Sequence, residues 1–320
     1  MKNIENKELS FKKESLKSFY FIGVTTTKSL IIKLFPLWMK ELGFKDIKIL
    51  PYDLKIHDKP EKYRKIVSQI KHDYNCYGAL VTTHKMDLFA SAKDVFDYLD
   101  YYALLLHELS CISKNGNRLE GYAKDPITAG ASFDYFIGKD YFDKSEAEIL
   151  IFGAGGSSIA TILHLINKRE KSNRPRRIIV VNRSQTRLDH IESILKIVKT
   201  DISFKLICNS NPEINDKIMK DLPSYSIVIN ATGMGKDTPG SPVTDKGLFP
   251  RNGWVWEFNY RGELDFMHQA EKQVESRGVK VEDGWIYFIH GWTQVLFQAF
   301  NIDMQDEIFP RLKNIADLIK

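Results

Sequence analysis

The sequence has 320 residues, 43% hydrophobic and 27% charged, which is the composition of an ordinary globular protein long enough for two domains. The net charge of +5 is mild and the basic residues are scattered, which argues against a nucleic-acid partner and suits small anionic ligands. Three widely spaced cysteines, Cys76, Cys111 and Cys208, form neither a metal-ligand pattern nor a disulfide framework, and therefore indicate a reducing cytoplasm.

No segment has the pattern of a signal peptide or of a membrane span. Residues 1–19 are charged and lack an apolar core. The nearest candidate for a span, residues 284–300, carries His290, Gln294 and Gln298 and fits a buried helix better. We therefore expect a cytoplasmic protein, a monomer or homodimer, that has no membrane partner and no metal.

In the first part of the chain, predicted strands alternate with predicted helices. The strands are 19–24, 46–52 and 77–83, and the helices are 29–43, 60–73 and 85–106. A hairpin is predicted over 109–123, with Asn115–Gly116 as its turn. This alternation favours a mostly parallel sheet covered by helices on both faces.

The pattern restarts near residue 147. Predicted strands follow at 147–152, 176–182, 202–209, 225–231, 253–259 and 279–284. The sequence thus predicts an α/β fold with two domains: an N-terminal substrate-binding and catalytic domain, 1–129, and a Rossmann-type, doubly wound domain, 130–284. The last helices, 285–320, are expected to pack back on the first domain, which leaves a cleft between the two.

A glycine turn follows the first strand of the second domain, in "IFGAGGSSIA". Gly153 is suited to the tight turn, and Gly155 with Gly156 leaves room for a pyrophosphate at the helix N-terminus. Ser158 replaces the usual third glycine, and the small Ala160 can take over close packing. A plain strand–helix connection is the alternative. Dinucleotide binding by the turn is favoured, with contacts from Gly153, Ala154, Gly155, Gly156 and Ser157.

The next strand ends in "VVNRSQTR", without the acidic residue that binds the ribose of NAD. Asn182, Arg183, Ser184 and Arg187 offer instead guanidinium groups and a hydroxyl that suit a 2′-phosphate. The two arginines could equally be solvated surface residues. Their position favours NADP over NAD as the cofactor.

The segment "INATGMG" follows a third apolar strand of this domain. The residues Ala231, Thr232, Gly233 and Met234 would let the backbone lie close to a nicotinamide ribose. A glycine-rich surface turn is the alternative.

Taken together in chain order, the motifs resemble those of the shikimate dehydrogenase family, which includes shikimate/quinate 5-dehydrogenases. The matching stretches are "GVTTTKSLI", "LVTTHK", "HELSC", "GYAKDPITAG", "GAGGSSIA", "NRSQTR", "NATGMG", "YRGELDFMHQA" and "DGWIYFIHG". The resemblance covers most of the chain. It implies an NADP-dependent oxidoreductase that reduces 3-dehydroshikimate, or a closely related cyclic keto acid, reversibly to the alcohol.

The resemblance also assigns residue roles. Lys85 and Asp125 match the family's catalytic pair, although "LVTTHK" is one residue shorter than the family motif; without the family context, Lys85 reads as a surface lysine at a strand end. Hydride transfer to a carbonyl carbon needs a proton at the oxygen, which such a pair can handle. The implied substrate-binding residues are Ser29, Thr82, Ser110, Tyr260 and His290. Gly284 is implied to contact the cofactor.

The substrate loops depart from the family pattern. Ile31, Leu80, Ser110 and Gly291 replace a serine, two asparagines and a glutamine that bind substrate in the family. Each lost hydrogen-bond partner costs on the order of 1–3 kcal/mol. The departures favour a changed substrate of the quinate or aminoshikimate type, unless neighbours compensate, namely Thr25, Thr27, His84, His107 or His290.

Two other functions are compatible with the motifs. A non-catalytic NADP-binding sensor would keep the fold, but it has no use for the retained lysine and aspartate. An enzyme of the glutamyl-tRNA reductase type shares the glycine turn, but it needs a nucleophilic cysteine, and none of the three cysteines lies in a convincing sequence context.

Overall fold

The computed structural model of the protein describes residues 16–138, 140–168, 170, 173–303 and 307–320. Most of the charged N-terminal stretch considered above, residues 1–15, lies outside the described residues. The chain divides into two compact units. Unit 1 comprises the residues up to Lys124 together with Trp292–Lys320, and unit 2 comprises Asp125–Gly291.

The strands and helices alternate along most of the described chain. The strands are β1 (Lys17–Gly23), β2 (Ile47–Asp53), β3 (Cys76–Val81), β4 (Tyr98–Leu99), β5 (Cys111–Asn115), β6 (Arg118–Tyr122), β7 (Ile149–Phe152), β8 (Arg177–Asn182), β9 (Ser203–Cys208), β10 (Ile227–Asn230), β11 (Trp254–Glu257) and β12 (Lys280–Glu282). The helices are α1 (Ile31–Glu41), α2 (Pro60–His72), α3 (Lys85–Ala92), α4 (Tyr101–Leu106), α5 (Asp125–Ile137), α6 (Gly156–Asn167), α7 (Gln185–Val198), α8 (Pro212–Lys220), α9 (Asp265–Glu271), α10 (Val274–Arg277), α11 (Trp285–Ala299) and α12 (Ile308–Asp317). Within the described ranges, no helix is both long and apolar enough to span a membrane.

Unit 1 contains a mixed sheet in the order β2-β1-β3-β5-β6-β4. Strands β1, β2 and β3 are parallel, so their carboxyl ends lie at one edge of the sheet, whereas β5 pairs antiparallel with β3 and β6. The predicted hairpin is confirmed, but Asn115 pairs with Arg118, so the loop is Gly116–Asn117, one residue later than predicted. Gly116 adopts a φ of +59°, which glycine accommodates without strain.

The prediction of one helix over 85–106 is wrong, because a short strand interrupts it. Asp97 exchanges two hydrogen bonds with the backbone of Leu119, and β4 consequently pairs with β6. Asp100 then caps α4 by accepting from the backbone N of Ala103. These long-range bonds outweigh the local helical preference of the segment.

The C-terminal segment packs on unit 1, which confirms that part of the predicted fold. Trp38 of α1 is completely buried, and its Nε1 donates to the backbone O of Leu312 in α12 over 2.8 Å. Arg311 forms an ion pair with Glu41 at the end of α1. The ring of Phe300, just after α11, stacks on Tyr77 at a centroid distance of 4.5 Å.

Unit 2 is a parallel, doubly wound sheet in the order β12-β11-β10-β7-β8-β9. Counted from β7, this is the 3-2-1-4-5-6 order of a dinucleotide-binding domain. The predicted Rossmann-type fold is therefore confirmed. The strand order reverses between β7 and β10, and ligands of such sheets bind at the carboxyl ends of the strands next to that point.

Candidate active site

The glycine turn lies at the reversal point of the unit 2 sheet. Gly153 directly follows β7 and adopts a φ of +105°. A Cβ added there would lie 2.4 Å from the backbone O of Ala231, which directly follows β10. Only glycine therefore allows the two loops to approach so closely.

The turn leaves open space at the N-terminus of α6. Gly155 is the N-cap residue, no side chain caps the helix there, and a Cβ on Gly155 would meet no atom within 4 Å. Ser158 is completely buried and donates to the backbone O of Gly153 over 2.8 Å, so it closes the turn in place of the usual third glycine. Free backbone N–H groups and open space suit an anionic group. Ala154 is buried beneath the turn, and Gly156 and Ser157 begin the helix.

The end of β8 presents two exposed arginines. Asn182 Nδ2 donates to the backbone O of Ser184 over 3.1 Å, which shapes the short connection to α7. Arg183 and Arg187 are exposed, and neither guanidinium makes an ion pair or hydrogen bond with any described residue. Both side chains are thus available to a ligand phosphate.

The ends of β10 and β11 carry a buried polar network. Asn230 Oδ1 accepts from the hydroxyl of Thr232 over 2.6 Å, while Asn230 Nδ2 donates to Glu257 Oε2 over 2.6 Å. Glu257 and Asn230 are completely buried, and Asn259 is 7% exposed. Burial raises the pKa of Glu257 to about 7, although its hydrogen bonds from Asn259 and Asn230 oppose that rise.

The raised pKa of Glu257 predicts a pH-dependent stability. The folded protein binds this proton more tightly than the unfolded chain, so the stabilisation is full below about pH 4.5 and is lost as the pH rises through about 7. We expect the free energy of unfolding to fall by on the order of 3 kcal/mol over that window from this group. Urea unfolding of wild type and Glu257→Gln across the window measures it; equal slopes in the two proteins would contradict the expectation.

Gly284, Tyr260 and His290 also belong to unit 2. Gly284 N donates to the backbone O of Asn259 over 3.0 Å, and a Cβ on Gly284 would lie 2.1 Å from the backbone O of Phe258. Tyr260 is half-buried, and burial raises the pKa of its hydroxyl. Burial lowers the pKa of His290 to about 4, so its imidazole is neutral near pH 7.

In unit 1, Lys85 begins α3, just beyond the carboxyl end of β3. Its backbone O accepts from the backbone N of Leu109 over 3.1 Å. The next residue, Ser110, accepts through its backbone O from Val81 N over 2.9 Å. The Leu109–Ser110 segment is therefore bonded to both ends of the connection that carries the lysine.

The same segment also holds the residue before Asp125. Ser110 is 4% exposed, and its Oγ accepts from the backbone N of Lys124 over 2.7 Å. Lys124 Nζ donates to Gln298 Oε1 over 2.6 Å, and burial lowers the pKa of this ammonium group. Within unit 1, the backbone of Lys85 is thus bonded to Leu109, and the backbone of Lys124 is bonded to the next residue, Ser110.

Two further residues of unit 1 implied to bind substrate lie at the carboxyl edge of its sheet. Thr82 follows β3 and donates its backbone N to the O of Ile22 in β1 over 3.0 Å. Ser29 lies between the end of β1 and α1, and its backbone N donates to the O of Thr26. Both residues are half-buried.

His84 does not compensate for a lost substrate contact, contrary to one of the alternatives weighed from the sequence. It is 1% exposed, and its Nε2 donates to the backbone O of Gly23 over 3.1 Å. Its Nδ1 lies 3.1 Å from the hydroxyl of Tyr63, which also bonds Asp87. Both ring nitrogens are therefore used inside unit 1.

Two of the positions that depart from the family pattern have become part of the hydrophobic core. Ile31 is completely buried at the start of α1, and Leu80 of β3 is 9% exposed. Both side chains are apolar and belong to the core, so neither offers a hydrogen-bonding group at these two positions.

Comparison with curated proteins finds relatives that carry the same enzyme name. No protein-family model matches the chain. The chain is 27% identical over 191 residues to the shikimate dehydrogenase (NADP(+)) of Lactococcus lactis subsp. cremoris, covering 59% of this chain and 61% of that protein. It is 27% identical over 206 residues to the enzyme of the same name from Methanosphaera stadtmanae, covering 63% and 64%. The chain thus matches about three fifths of the length of these curated relatives.

Solved structures share the fold over almost the whole chain. Quinate dehydrogenase from Corynebacterium glutamicum, solved with NAD, superposes with a TM-score of 0.74 at 15% identity, covering 95% of this chain and 99% of that one. Shikimate 5-dehydrogenase from Listeria monocytogenes, solved with shikimate and NAD, gives a TM-score of 0.72 at 17% identity, covering 95% and 96%. The chain is thus similar in sequence to shikimate dehydrogenases over about three fifths of its length, and it shares the fold of shikimate and quinate dehydrogenases over almost all of it.

Sequence reasoning missed the network of Asn230, Glu257 and Asn259 and the bridging role of Leu109. A signal for the first was present, since "WVWEFN" ends an apolar strand with a carboxylate at a carboxyl end of the sheet. The bridge left no signal, because it consists of backbone hydrogen bonds between distant segments.

Proposed function

We propose that the chain is an NADP-dependent oxidoreductase that reversibly reduces 3-dehydroshikimate, or a closely related cyclic keto acid, to the corresponding alcohol. The observation that carries this proposal is the bonding of Leu109–Ser110 to Lys85 and to Lys124, which directly precedes Asp125. The names of the curated relatives support the same reaction.

The residues of unit 2 fit an NADP molecule. The open space at Gly155 suits the pyrophosphate, and the exposed Arg183 and Arg187 suit the 2′-phosphate. The residues we propose to hold the cofactor are Gly153, Ala154, Gly155, Gly156, Ser157, Asn182, Arg183, Ser184, Arg187, Ala231, Thr232, Gly233, Met234 and Gly284. When bound, the nicotinamide supplies or accepts the hydride.

Removing the arginines is expected to reduce NADP affinity selectively. Arg183→Ala and Arg187→Ala each remove a charged hydrogen-bond donor, so we expect the Kd for NADP to rise about 10- to 100-fold while the Kd for NAD stays unchanged. Titration calorimetry measures both constants. Arg176→Ala, which removes an exposed arginine just before the opposite end of β8, is the matched control. Equal losses for both nucleotides would contradict the 2′-phosphate assignment.

Lys85 and Asp125 are proposed as the catalytic pair. The Lys85 ammonium would hold the reacting oxygen of the substrate and pass a proton to it or take one from it. The Asp125 carboxylate would orient the ammonium and complete the proton transfer. The Leu109–Ser110 segment would position both residues through its bonds to Lys85 and Lys124.

The substrate is proposed to contact Ser29, Thr82, Ser110, Tyr260 and His290. Since Ile31 and Leu80 are core residues, a quinate- or aminoshikimate-type compound is the second candidate substrate. The test follows the absorbance of reduced nicotinamide with shikimate, quinate and aminoshikimate. Turnover of one of them supports the enzyme and names its substrate; NADP binding without turnover of any favours the sensor alternative.

The remaining assignments are also proposals. Residues 1–129 and 130–284 are proposed as the catalytic and NADP-binding domains, and 285–320 as the returning helices. The three cysteines are free thiols, which supports a cytoplasmic location. A monomer or homodimer is proposed, and gel filtration with light scattering distinguishes the two.

A further inference from the structure

Glu257 ends β11 with a fully buried carboxyl group that accepts three hydrogen bonds. Asn230 Nδ2, at the end of the neighbouring strand β10, donates to its Oε2 over 2.6 Å. The backbone N and the Nδ2 of Asn259 both donate to its Oε1, over 2.8 and 2.6 Å. Each partner is a donor, so the arrangement fits a carboxylate, which only accepts.

The two asparagines connect this carboxylate to the β10 loop, Thr232–Met234. Asn230 Oδ1 accepts from the backbone N and the hydroxyl of Thr232, over 3.2 and 2.6 Å. That hydroxyl in turn accepts from Met234 N over 3.1 Å. On the other side of the network, Asn259 Nδ2 also donates to Met234 O over 3.3 Å. The carboxylate therefore determines which way each amide is turned, and the amides hold the loop.

We propose that Glu257 is a positioning residue for the nicotinamide end of the cofactor, acting through Asn230 and Asn259 on the β10 loop. This inference rests on the proposed function, in which that loop lies against the nicotinamide ribose. The glycine turn after β7, the neighbour of β10, holds the pyrophosphate in the same proposal. Glu257 thus sets where the nicotinamide lies relative to phosphates that other residues bind.

An amide at position 257 cannot reproduce these bonds. In E257Q, an NH₂ group replaces one carboxylate oxygen and faces a donor of either Asn230 or Asn259. If the NH₂ faces Asn230, rotating the Asn230 amide turns its oxygen toward position 257, but its own NH₂ then faces the backbone N–H of Thr232. The conflict between donors thus moves into the β10 loop, where a buried donor without an acceptor is costly. E257D keeps two acceptor oxygens.

Acidic pH is expected to mimic E257Q in the wild-type protein. Protonation removes the buried charge, which stabilises the fold, but it also places an O–H donor among the same three donors of Asn230 and Asn259. Burial raises the pKa of Glu257 to about 7, and Asp283, after β12, is the charged group that adds to the rise. The change from ordered to disturbed loop therefore falls near neutral pH.

The test uses two ligands that share the 2′-phosphate: NADP, and adenosine 2′,5′-bisphosphate, which lacks the nicotinamide. We expect E257Q to bind the bisphosphate within about twofold of wild type but NADP about tenfold more weakly, and E257D to restore most of the NADP affinity. D216N makes the same change of carboxylate to amide at a residue that bonds Thr244 in another loop of unit 2. It should leave both affinities unchanged.

Equal weakening of both ligands in E257Q would overturn the proposal, as would an unchanged NADP affinity. If E257Q does not fold, the wild-type ratio of the two affinities between about pH 6 and about pH 8 decides. Titration of the shared 2′-phosphate cancels in this ratio, whereas protonation of the 5′-phosphate monoester weakens only the bisphosphate and therefore shifts the ratio toward NADP. A ratio that nevertheless turns against NADP on acidification supports the proposal, and a ratio that stays constant or turns toward NADP overturns it. Wild type that binds neither ligand would overturn the proposed function and this inference with it. If wild type binds both ligands and only the expected effect of E257Q is missing, this inference fails and the proposed NADP binding stands.

Discussion

Lys85→Met is expected to lower kcat by about 100- to 10,000-fold, since it removes the group proposed to handle the proton at the substrate oxygen. Methionine keeps most of the apolar stem and fits the first turn of α3, where the Lys85 backbone O still accepts from Leu109 N. The fold and the proposed NADP site, whose residues belong to unit 2, should therefore be preserved. Steady-state kinetics with the best substrate measures the loss.

Two readouts separate catalysis from general damage. The Kd of NADP and the thermal midpoint of Lys85→Met should equal those of wild type. Lys93→Met, at the end of α3, is the matched control and should retain full kcat. A kcat within about threefold of wild type would exclude Lys85 as the proton-transfer group.

Gly153→Ala is expected to destabilise the protein by roughly 3 kcal/mol or more. The new Cβ would lie 2.4 Å from the backbone O of Ala231, and the φ of +105° is strained for alanine. Because this turn joins the loops after β7 and β10, NADP binding should be lost as well. Urea unfolding together with nucleotide titration measures both effects.

Gly155→Ala provides the contrasting variant. A Cβ there meets no atom within 4 Å and the φ is −91°, so stability should change by less than about 1 kcal/mol. The same methyl group would occupy the space proposed for the pyrophosphate, and NADP affinity should fall about 10- to 100-fold. Loss of stability in Gly155→Ala, or unchanged NADP binding in it, would contradict this account of the turn.

The architecture could be predicted largely from the sequence, because its signals are local. Apolar β-branched strands and a glycine turn such as Gly153 act over a few residues, and the strand order of unit 2 follows from the doubly wound pattern. The segment 85–106 was less predictable. Asp97 and Asp100 break it by bonding β6 and capping α4, and no helical pattern contains that pairing.

Much less of the candidate site could be predicted. The sequence indicated Lys85 and Asp125 by resemblance, but not the Leu109–Ser110 bonds that anchor the backbone at Lys85 and Lys124. Glu257 ends an apolar strand in sequence, but its burial could not be predicted, because a buried carboxylate depends on donors that folding brings from elsewhere. The same reasoning applies to His84, whose partners are distant in the chain.

A double-mutant cycle on kcat with Lys85→Met, Asp125→Asn and the double variant tests the proposed catalytic pair most directly. Residues that act as one unit lose their effect together, so the double variant should be no more than about threefold slower than the slower single variant. Losses that multiply in the double variant would show that the two residues act independently, and would contradict the catalytic pair.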